Sequence, residues 1–340
     1  EMERKIRLAF DVGSSAMKVA LWRGKTLELH EVPLPENLMD GDTITMPHAF
    51  SGFLKAKRKE LRLPGGPAAL VLPRSRCLCR MVTLPRMTIE HLELNLPYEF
   101  NDFMHDDPSK YYCDYAVCRR QEPAGEEEPQ EMTLMTAAVE RQLVQDAIRM
   151  FADGGFSLRK ILPQEMALIQ LVQTRQAAHP DDSREFCFID LGQQSTMISL
   201  IQDDRLQAER QVPVGCRDLD EAVGEALHID ARLADSYKRA NQEDVLHHPL
   251  CCGVYDRIAV ETLKVINFYR YTYRQNQLQG VYLIGGGANV QILRETLAER
   301  IDLPVLPVTD LVPAGFSPGL ESSCAYAAGA AVRMEEVSGR

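Results

Sequence analysis

Residues 186–199, FCFIDLGQQSTMIS, decide the fold. An apolar strand ends on Asp190-Leu191-Gly192, a run of small and hydrogen-bonding residues follows, and an alternating strand, ISLI, resumes. This is the order of a strand turning tightly beneath a phosphate. A carboxylate at the end of a buried strand is costly unless a magnesium ion, its water or a donor meets it. Glycine beside it lets the backbone approach an anion and aim N–H groups at it. Ser195 and Thr196 add hydroxyls.

Nearly the same phrase occurs once before, at residues 8–20, LAFDVGSSAMKVA. Aligning Asp11 with Asp190 also aligns Gly13 with Gly192, and VALW follows as ISLI does. Ser14 and Ser15 supply hydroxyls, and Lys18 a point charge for phosphate oxygens. Either copy alone fits an ordinary β-hairpin equally well. The pair points to two similar half-molecules. A third segment, 281–289, VYLIGGGAN, runs a buried strand into Gly285, Gly286 and Gly287, then into the helical pattern ILRETLAERI. That order places backbone amides and a helix N-terminus beside a ligand. A glycine triplet alone is as readily a tight turn.

Together, Asp-x-Gly-Ser-Ser-x-x-Lys, Asp-x-Gly-x-x-x-Thr, Gly-Gly-Gly-Ala and the late Ala-Ala-Gly-Ala resemble a set of superfamily motifs. They correspond to the two phosphate loops, adenosine loop and second connecting helix of the actin, Hsp70 and sugar-kinase ATPases. The resemblance implies an α/β, two-lobed actin-like ATPase fold of duplicated RNase H-like domains, with ATP and Mg2+ between the lobes. The nucleotide site would comprise Asp11, Gly13, Ser14, Ser15, Lys18, Asp190, Gly192, Gln193, Gln194, Ser195, Gly285, Gly286, Gly287 and Asn289. Asp11 and Asp190 would hold the metal through water. Asp235 and Lys238 keep the acid-x-x-lysine spacing that the superfamily uses at ribose and adenine, a spacing also common to surface pairs worth little. Glu165 matches the carboxylate or amide of the first connecting helix that orients the attacking water through magnesium, and with Asp190 forms the catalytic expectation. A first-turn glutamate also simply favours the helix dipole. One departure concerns the second phosphate loop. Gln193 and Gln194 stand where hydrolytic relatives carry a glycine or alanine, where they either crowd the γ-phosphate or hydrogen-bond it.

In chain order, residues 6–34 read as the first hairpin with Gly24-Lys25 as its turn, and 49–61 as a helix stopping at Pro64-Gly65-Gly66. Residues 68–72 and 77–84 alternate as two strands that close a first mixed sheet. From Leu84-Pro85-Arg86-Met87 the organisation changes. A helix at 89–103 is interrupted by Pro97, a strand covers 111–119, and an acidic Pro/Gly loop covers 121–130. A strand at 131–138 and an amphipathic helix at 140–153 follow, ending at Gly154-Gly155. This is an inserted small α+β subdomain. With LP-x-M before its helix, Asp107-Pro108 leading to CDYAV, and Gly155-Phe156 at its close, it is similar to the extra subdomain of the PilM family of type IV pilus assembly proteins. It is more distantly similar to that of FtsA, and the PilM resemblance covers nearly the whole chain.

Residues 158–172 read as a strand end and a helix, 174–184 as a polar linker, and 186–212 as the second hairpin. Helices follow at 217–227 and on to 240, and at 259–273, where Phe268, Tyr269, Tyr271 and Tyr273 read as core and interface. A final helix covers 325–334. The expected organisation is lobe 1 at 1–84, 156–182 and 311–340, and the insert at 85–155. Lobe 2 has its core at 183–226 and 279–310, with a mostly helical adenine-side subdomain at 227–278.

The net charge of −11 argues against a nucleic-acid or anionic-membrane binding face. The basic run 55–62, KAKRKELR, reads as the solvated side of a helix. Nine cysteines is an odd count, and Cys77, Cys79 and Cys187 fall in strand-like apolar runs, as in a reducing compartment. Cys77-x-Cys79 and Cys251-Cys252 lack a second ligand pair at zinc spacing, so no structural metal is expected. No stretch approaches ~20 apolar residues, and a charged start, EMERKIR, is not a signal peptide. The expected location is cytoplasmic.

The PilM resemblance implies an ATP-binding cytoplasmic platform that hydrolyses little or no ATP and meets other pilus-assembly components. Its partner would be the cytoplasmic N-terminal segment of a PilN-like inner-membrane protein, the platform lying peripheral to that membrane through the partner alone. A small-molecule kinase or slow ATPase is the catalytic alternative, although no glycine-flanked aspartate in the connecting region serves as its base. An FtsA-like filament former is the other. The final small-residue run carries no basic amphipathic tail, which argues against FtsA-type anchoring but leaves self-association open.

Overall fold

The computed structural model describes residues 7–104, 107–118, 131–180, 184–273, 277–312 and 319–332. The chain forms two compact units. One contains the described residues up to Gln173, Asp204–Leu206 and those from Tyr326 onward. The other contains Thr174–Asp203 and Gln207–Ala325. The expected loop at 121–130 lies outside the described residues.

Unit 1 opens with β1 (Leu8–Val12), β2 (Ala16–Arg23) and β3 (Thr26–Pro33), an antiparallel meander whose β2–β3 turn uses Gly24 at φ 63°. All five residues of β1 are buried, as expected of a strand covered on both faces. A two-strand ribbon, β4 (Met39–Asp40) and β5 (Thr43–Ile44), leads into α1 (Pro47–Glu60). Proline at the first helical position and Lys57, Arg58 and Lys59 in the last turn suit the two ends of that helix. Next come β6 (Gly66–Leu72), β7 (Cys77–Pro85), α2 (Ile89–Asn95), β8 (Tyr111–Val117), β9 (Glu131–Glu140), α3 (Arg141–Asp153), β10 (Phe156–Pro163) and α4 (Gln164–Ala178).

The main sheet of unit 1 has the order β3-β2-β1-β6-β10, with β6 parallel to both β1 and β10. Its core joins Phe10 to Phe151 and Phe156 in edge contacts at 5.1 and 4.9 Å, beneath Phe50 and Leu54 of α1. Three expectations change here. Strand β7, read as closing this sheet, instead pairs with β9 along its whole length in a separate antiparallel sheet, β7-β9-β8. The expected helix at 89–103 shortens to α2 and a 3-10 turn, Leu96–Phe100, because Pro97 cannot donate the next helical hydrogen bond. The polar linker expected from 174 is helical up to Ala178.

Unit 2 repeats the pattern with β11 (Glu185–Leu191), β12 (Thr196–Gln202) and β13 (Arg205–Val212). Then come α5 (Cys216–Leu227), α6 (Ala231–Ala240), α7 (Pro249–Thr272), β14 (Val281–Ile284), α8 (Gln291–Ile301) and β15 (Val305–Leu306). Its sheet order is β13-β12-β11-β14-β15, strand for strand the order of the first sheet, with β11 antiparallel to β12 and parallel to β14, and β14 parallel to β15, as for their counterparts in unit 1. Each unit is thus one copy of a duplicated α/β domain, as the paired Asp-x-Gly turns predicted. Helix α7 is ten residues longer at its start than its aromatic run suggested, since Pro249 begins it. Tyr269 on α7 is buried, whereas Phe268 and Tyr271, expected in a core or interface, are 64% and 79% exposed. The last helix is α9 (Ala325–Ala331). No described helix is long and apolar enough to cross a membrane.

Candidate functional site

Parallel pairing delivers the site of unit 2. Asp190 on β11 lies level with Ile284 on β14, so both strands end together and Gly285 arrives beside the Asp190 carboxylate. Gly285 holds φ at 82°, and a side chain there would overlap Oδ1 of Asp190. Two residues on, a Cβ at Gly287 would stand 2.6 Å from Cys216 Sγ and 2.7 Å from Leu191 Cβ. The glycine triplet is therefore a close approach of the second loop to the first, and only glycine permits it at 285 and 287. The segment itself is a short 3-10 turn, Gly286–Asn289, preceding α8, with Gly286 and Asn289 exposed.

The β11–β12 turn is closed by Gly192 N–H donating to Ser195 O at 3.1 Å. The carbonyls of Gly192 and Gln193 accept from the first amides of α5, Cys216 N at 2.9 Å and Arg217 N at 2.8 Å. Gly215 permits this seat, because a Cβ there would meet Gln193 O and Ser195 N at 2.7 Å. Ser195 Oγ accepts from Gln211 Nε2 at 3.0 Å, and Thr196 is buried with its hydroxyl on Val214 O at 2.8 Å. Gln194 is exposed. Gln193 is turned aside, its Nε2 donating to Oδ2 of Asp220 at 3.1 Å.

Asp220 also bonds Lys238 through Oδ1, and Lys238 reaches Asp235 at 3.0 Å. The acid-x-x-lysine spacing is thus a real ion pair, with Lys238 8% exposed and linked to the β11–β12 turn by a residue no motif marked. Burial by itself would lower the Lys238 pKa, yet the hydrogen bonds and charges of Asp220 and Asp235 outweigh it and raise the value. Burial would raise the Asp235 pKa, but Lys238 and Arg239 hold it below the usual carboxylate range.

Unit 1 carries the matching turn. Gly13 N–H donates to Ala16 O at 3.0 Å, the same bond as in the second copy, and a Cβ at Gly13 would stand 3.0 Å from Lys18 Nζ. Asp11 is buried, level with Val71 on β6, and Val71 is level with Leu162 on β10. The turn holding Ser14 and Ser15, the Pro73–Ser75 turn and the start of α4 therefore share the carboxyl edge of one sheet, where open α/β sheets bind ligands. Glu165 sits at that edge but is only 2% exposed, with Arg74 Nη1 on its Oε1 at 3.1 Å. That ion pair was not legible in the sequence.

Among the described residues no three His, Cys, Asp or Glu side chains cluster as a direct metal shell.

A family model described as type IV pilus assembly protein PilM matches residues 9–313. Among solved structures, the chain is similar to one titled as a PilM–PilN type IV pilus biogenesis complex, at 21% identity and a TM-score of 0.80, over 96% of this chain and 98% of that one. It is also similar to the ethanolamine utilization protein EutJ from Carboxydothermus hydrogenoformans, at 12% identity and a TM-score of 0.57, over 94% and 88% of the two chains. A third likeness is to MreB 5 of Spiroplasma citri bound to AMPPNP, at 11% identity and a TM-score of 0.50, over 96% and 95%. These likenesses bear out the actin-like ATPase fold. No curated protein matches.

Proposed function

The chain belongs to the PilM family of type IV pilus assembly proteins, and on that premise we propose that it is an ATP-binding platform that captures the cytoplasmic N-terminal segment of a PilN-like inner-membrane protein. The observation that carries the nucleotide part is the seat of Asp190 against Gly285, since that glycine cradle holds a carboxylate at the mouth of two backbone loops. Asp190, Gly192, Ser195 and the 285–287 loop are the phosphate and adenosine determinants of unit 2, with Lys238 and Asp235 on the adenosine side. Asp11, Gly13, Ser14, Ser15 and Lys18 are those of unit 1. Gln193 is held by Asp220 through one N–H, which fixes its amide at the turn and leaves its other N–H for an anion. In each unit the turn aspartate, Asp11 or Asp190, is the residue that would hold Mg2+ through water. Bound magnesium would neutralise phosphate charge.

The partner assignment draws on the family and on the likeness to the PilM–PilN complex. Membrane association through that partner follows from it. Nucleotide biases the conformation that takes the peptide, so peptide affinity and nucleotide affinity change together by linkage. Incubation with Mg2+ and ATP, with bound ATP, bound ADP and released phosphate counted over time, tests the first half. About one uncleaved ATP per chain is the expected result, and sustained turnover would bring forward a slow ATPase or kinase. Titration with the N-terminal peptide of a PilN-like protein, with and without ATP, tests the second. Equal affinity in both conditions would sink the coupling.

A further inference from the structure

Asp220 lies in the second turn of α5 and bonds two different elements through its two oxygens. Oδ2 takes the Gln193 amide of the phosphate turn at 3.1 Å, and Oδ1 takes the Lys238 ammonium of α6. The Asp220 side chain is 14% exposed and that of Lys238 9%, so this is not a solvated surface pair. Asp235, the other carboxylate on Lys238, is 48% exposed and is shared with Arg239 at 2.8 Å. The enclosed negative charge that fixes the ammonium is therefore Asp220. The main chain reinforces the link, since Gln193 O accepts from Arg217 N of the same helix.

A glutamine amide tied to an anion keeps one N–H and its carbonyl for another partner, and an ammonium bonded to two carboxylates keeps one N–H. We propose that Asp220 is the positioning residue that couples the phosphate end of the nucleotide site to its adenosine end, so that Gln193 and Lys238 meet a nucleoside triphosphate as one unit. The inference rests on the ATP-binding reading above. Under it, disturbing the phosphate-side amide changes the aim of the adenosine-side ammonium, and the reverse.

The test is a thermodynamic cycle on ATP affinity, measured by calorimetry with Mg2+ on the full chain. Gln193→Met, Lys238→Met and the double variant are compared, first with Asp220 present and then in an Asp220→Asn background. Residues in one hydrogen-bonded network couple measurably. The expected result is a double-variant affinity differing from the product of the single effects by a factor of about five or more with Asp220, and by less than about twofold in the Asp220→Asn background. Gln193→Met is also expected to weaken binding of adenosine, which has no phosphate. Independent effects with Asp220 present, or equal coupling in both backgrounds, overturn the proposal while leaving ATP binding intact. No ATP binding by the wild-type chain overturns both readings. Should Asp220→Asn unfold, Asp220→Glu, which keeps the charge but moves it, is expected to retain reduced coupling, and full coupling there counts against the proposal.

Discussion

Asp190 and Gly285 are in contact: Oδ1 of the carboxylate fills the space that a side chain at 285 would need. Because Asp190 and Ile284 are level in a parallel ladder, neither loop can retreat without breaking the sheet. Gly285→Ala therefore combines a clash with an alanine at φ 82°. The expected cost is about 1–3 kcal/mol of stability with loss of stoichiometric ATP binding. Gly286→Ala, with nothing within 4 Å of its added Cβ, is expected to change stability by less than about 0.5 kcal/mol and to bind ATP normally. Urea unfolding and calorimetry read both. Normal ATP binding by Gly285→Ala would remove Asp190 from the site.

The two turns differ in one charge. Asp11 faces Lys18 across its hairpin, while Asp190 faces Met197 in the same register. The two copies therefore differ by one cation opposite the turn carboxylate. Lys18→Met is expected to lower ATP affinity roughly 10-fold or more, the size of a charged hydrogen bond, and to leave adenosine affinity unchanged. Equal losses for both ligands would mean that Lys18 supports the fold rather than a phosphate.

Glu165 tests a catalytic expectation against a structural one. It is nearly inaccessible and ion-paired with Arg74, whose own backbone N–H donates to Gln164 Oε1 at 3.3 Å. Arg74 itself is 32% exposed against 2% for Glu165, so losing its charged hydrogen bond to the buried carboxylate in Arg74→Ala is expected to cost about 1.5–3 kcal/mol. Glu165→Gln removes the charge but keeps the shape and is expected to cost less. If any phosphate release is measurable, a fall in its rate for Glu165→Gln with unchanged ATP affinity would assign it the water-orienting role. Proportional loss of both would make it structural.

Burial pushes the Cys187 thiol from its ordinary value of 9.0 up to about 12. Below pH 9 both folded and unfolded chains hold this proton, and the linkage contributes nothing. Above it the unfolded chain releases a proton that the folded chain retains, so stability falls as pH rises towards 12, by roughly 1.4 kcal/mol per unit at most. Cys187→Ala removes that slope. The stability gap between wild type and variant is expected to shrink by roughly 1 kcal/mol between about pH 8 and pH 10, other thiols cancelling in the difference. A constant gap would mean that the thiol titrates normally.

The duplication was legible because each copy writes its strand, carboxylate, glycine and returning strand into one unbroken stretch. The glycine loop was legible for the same reason. Sheet membership of β7 was not, since the alternation of residues 77–84 states that a strand forms and not which neighbour it pairs with. Asp190 and Leu191 of the first loop lie against Gly285, and Leu191 also against Gly287. Asp220 and Arg74 escaped notice because each acts through a partner far along the chain, Lys238 and Glu165. A lone acid on an amphipathic helix and a lone arginine in a turn carry no local mark of that.

Helix α7 shows the same limit in its aromatic run. Four aromatics at 268, 269, 271 and 273 cannot all face one way at 3.6 residues per turn, and composition alone does not choose among them. The choice is made by the buried series Val254, Ile258, Thr262, Val265 and Tyr269, which continues to Tyr273 through a ring contact at 4.8 Å. Phe268 lies on the other side with Val260 and Tyr271. Tyr269→Ala is therefore expected to destabilise unit 2 by about 3–5 kcal/mol, and Phe268→Ser and Tyr271→Ser by no more than about 0.5 kcal/mol each. Urea unfolding of the three variants decides it. A large cost at Phe268 or Tyr271 would mean that this face is covered in solution, and its dependence on protein concentration would then tell a second copy from an internal contact.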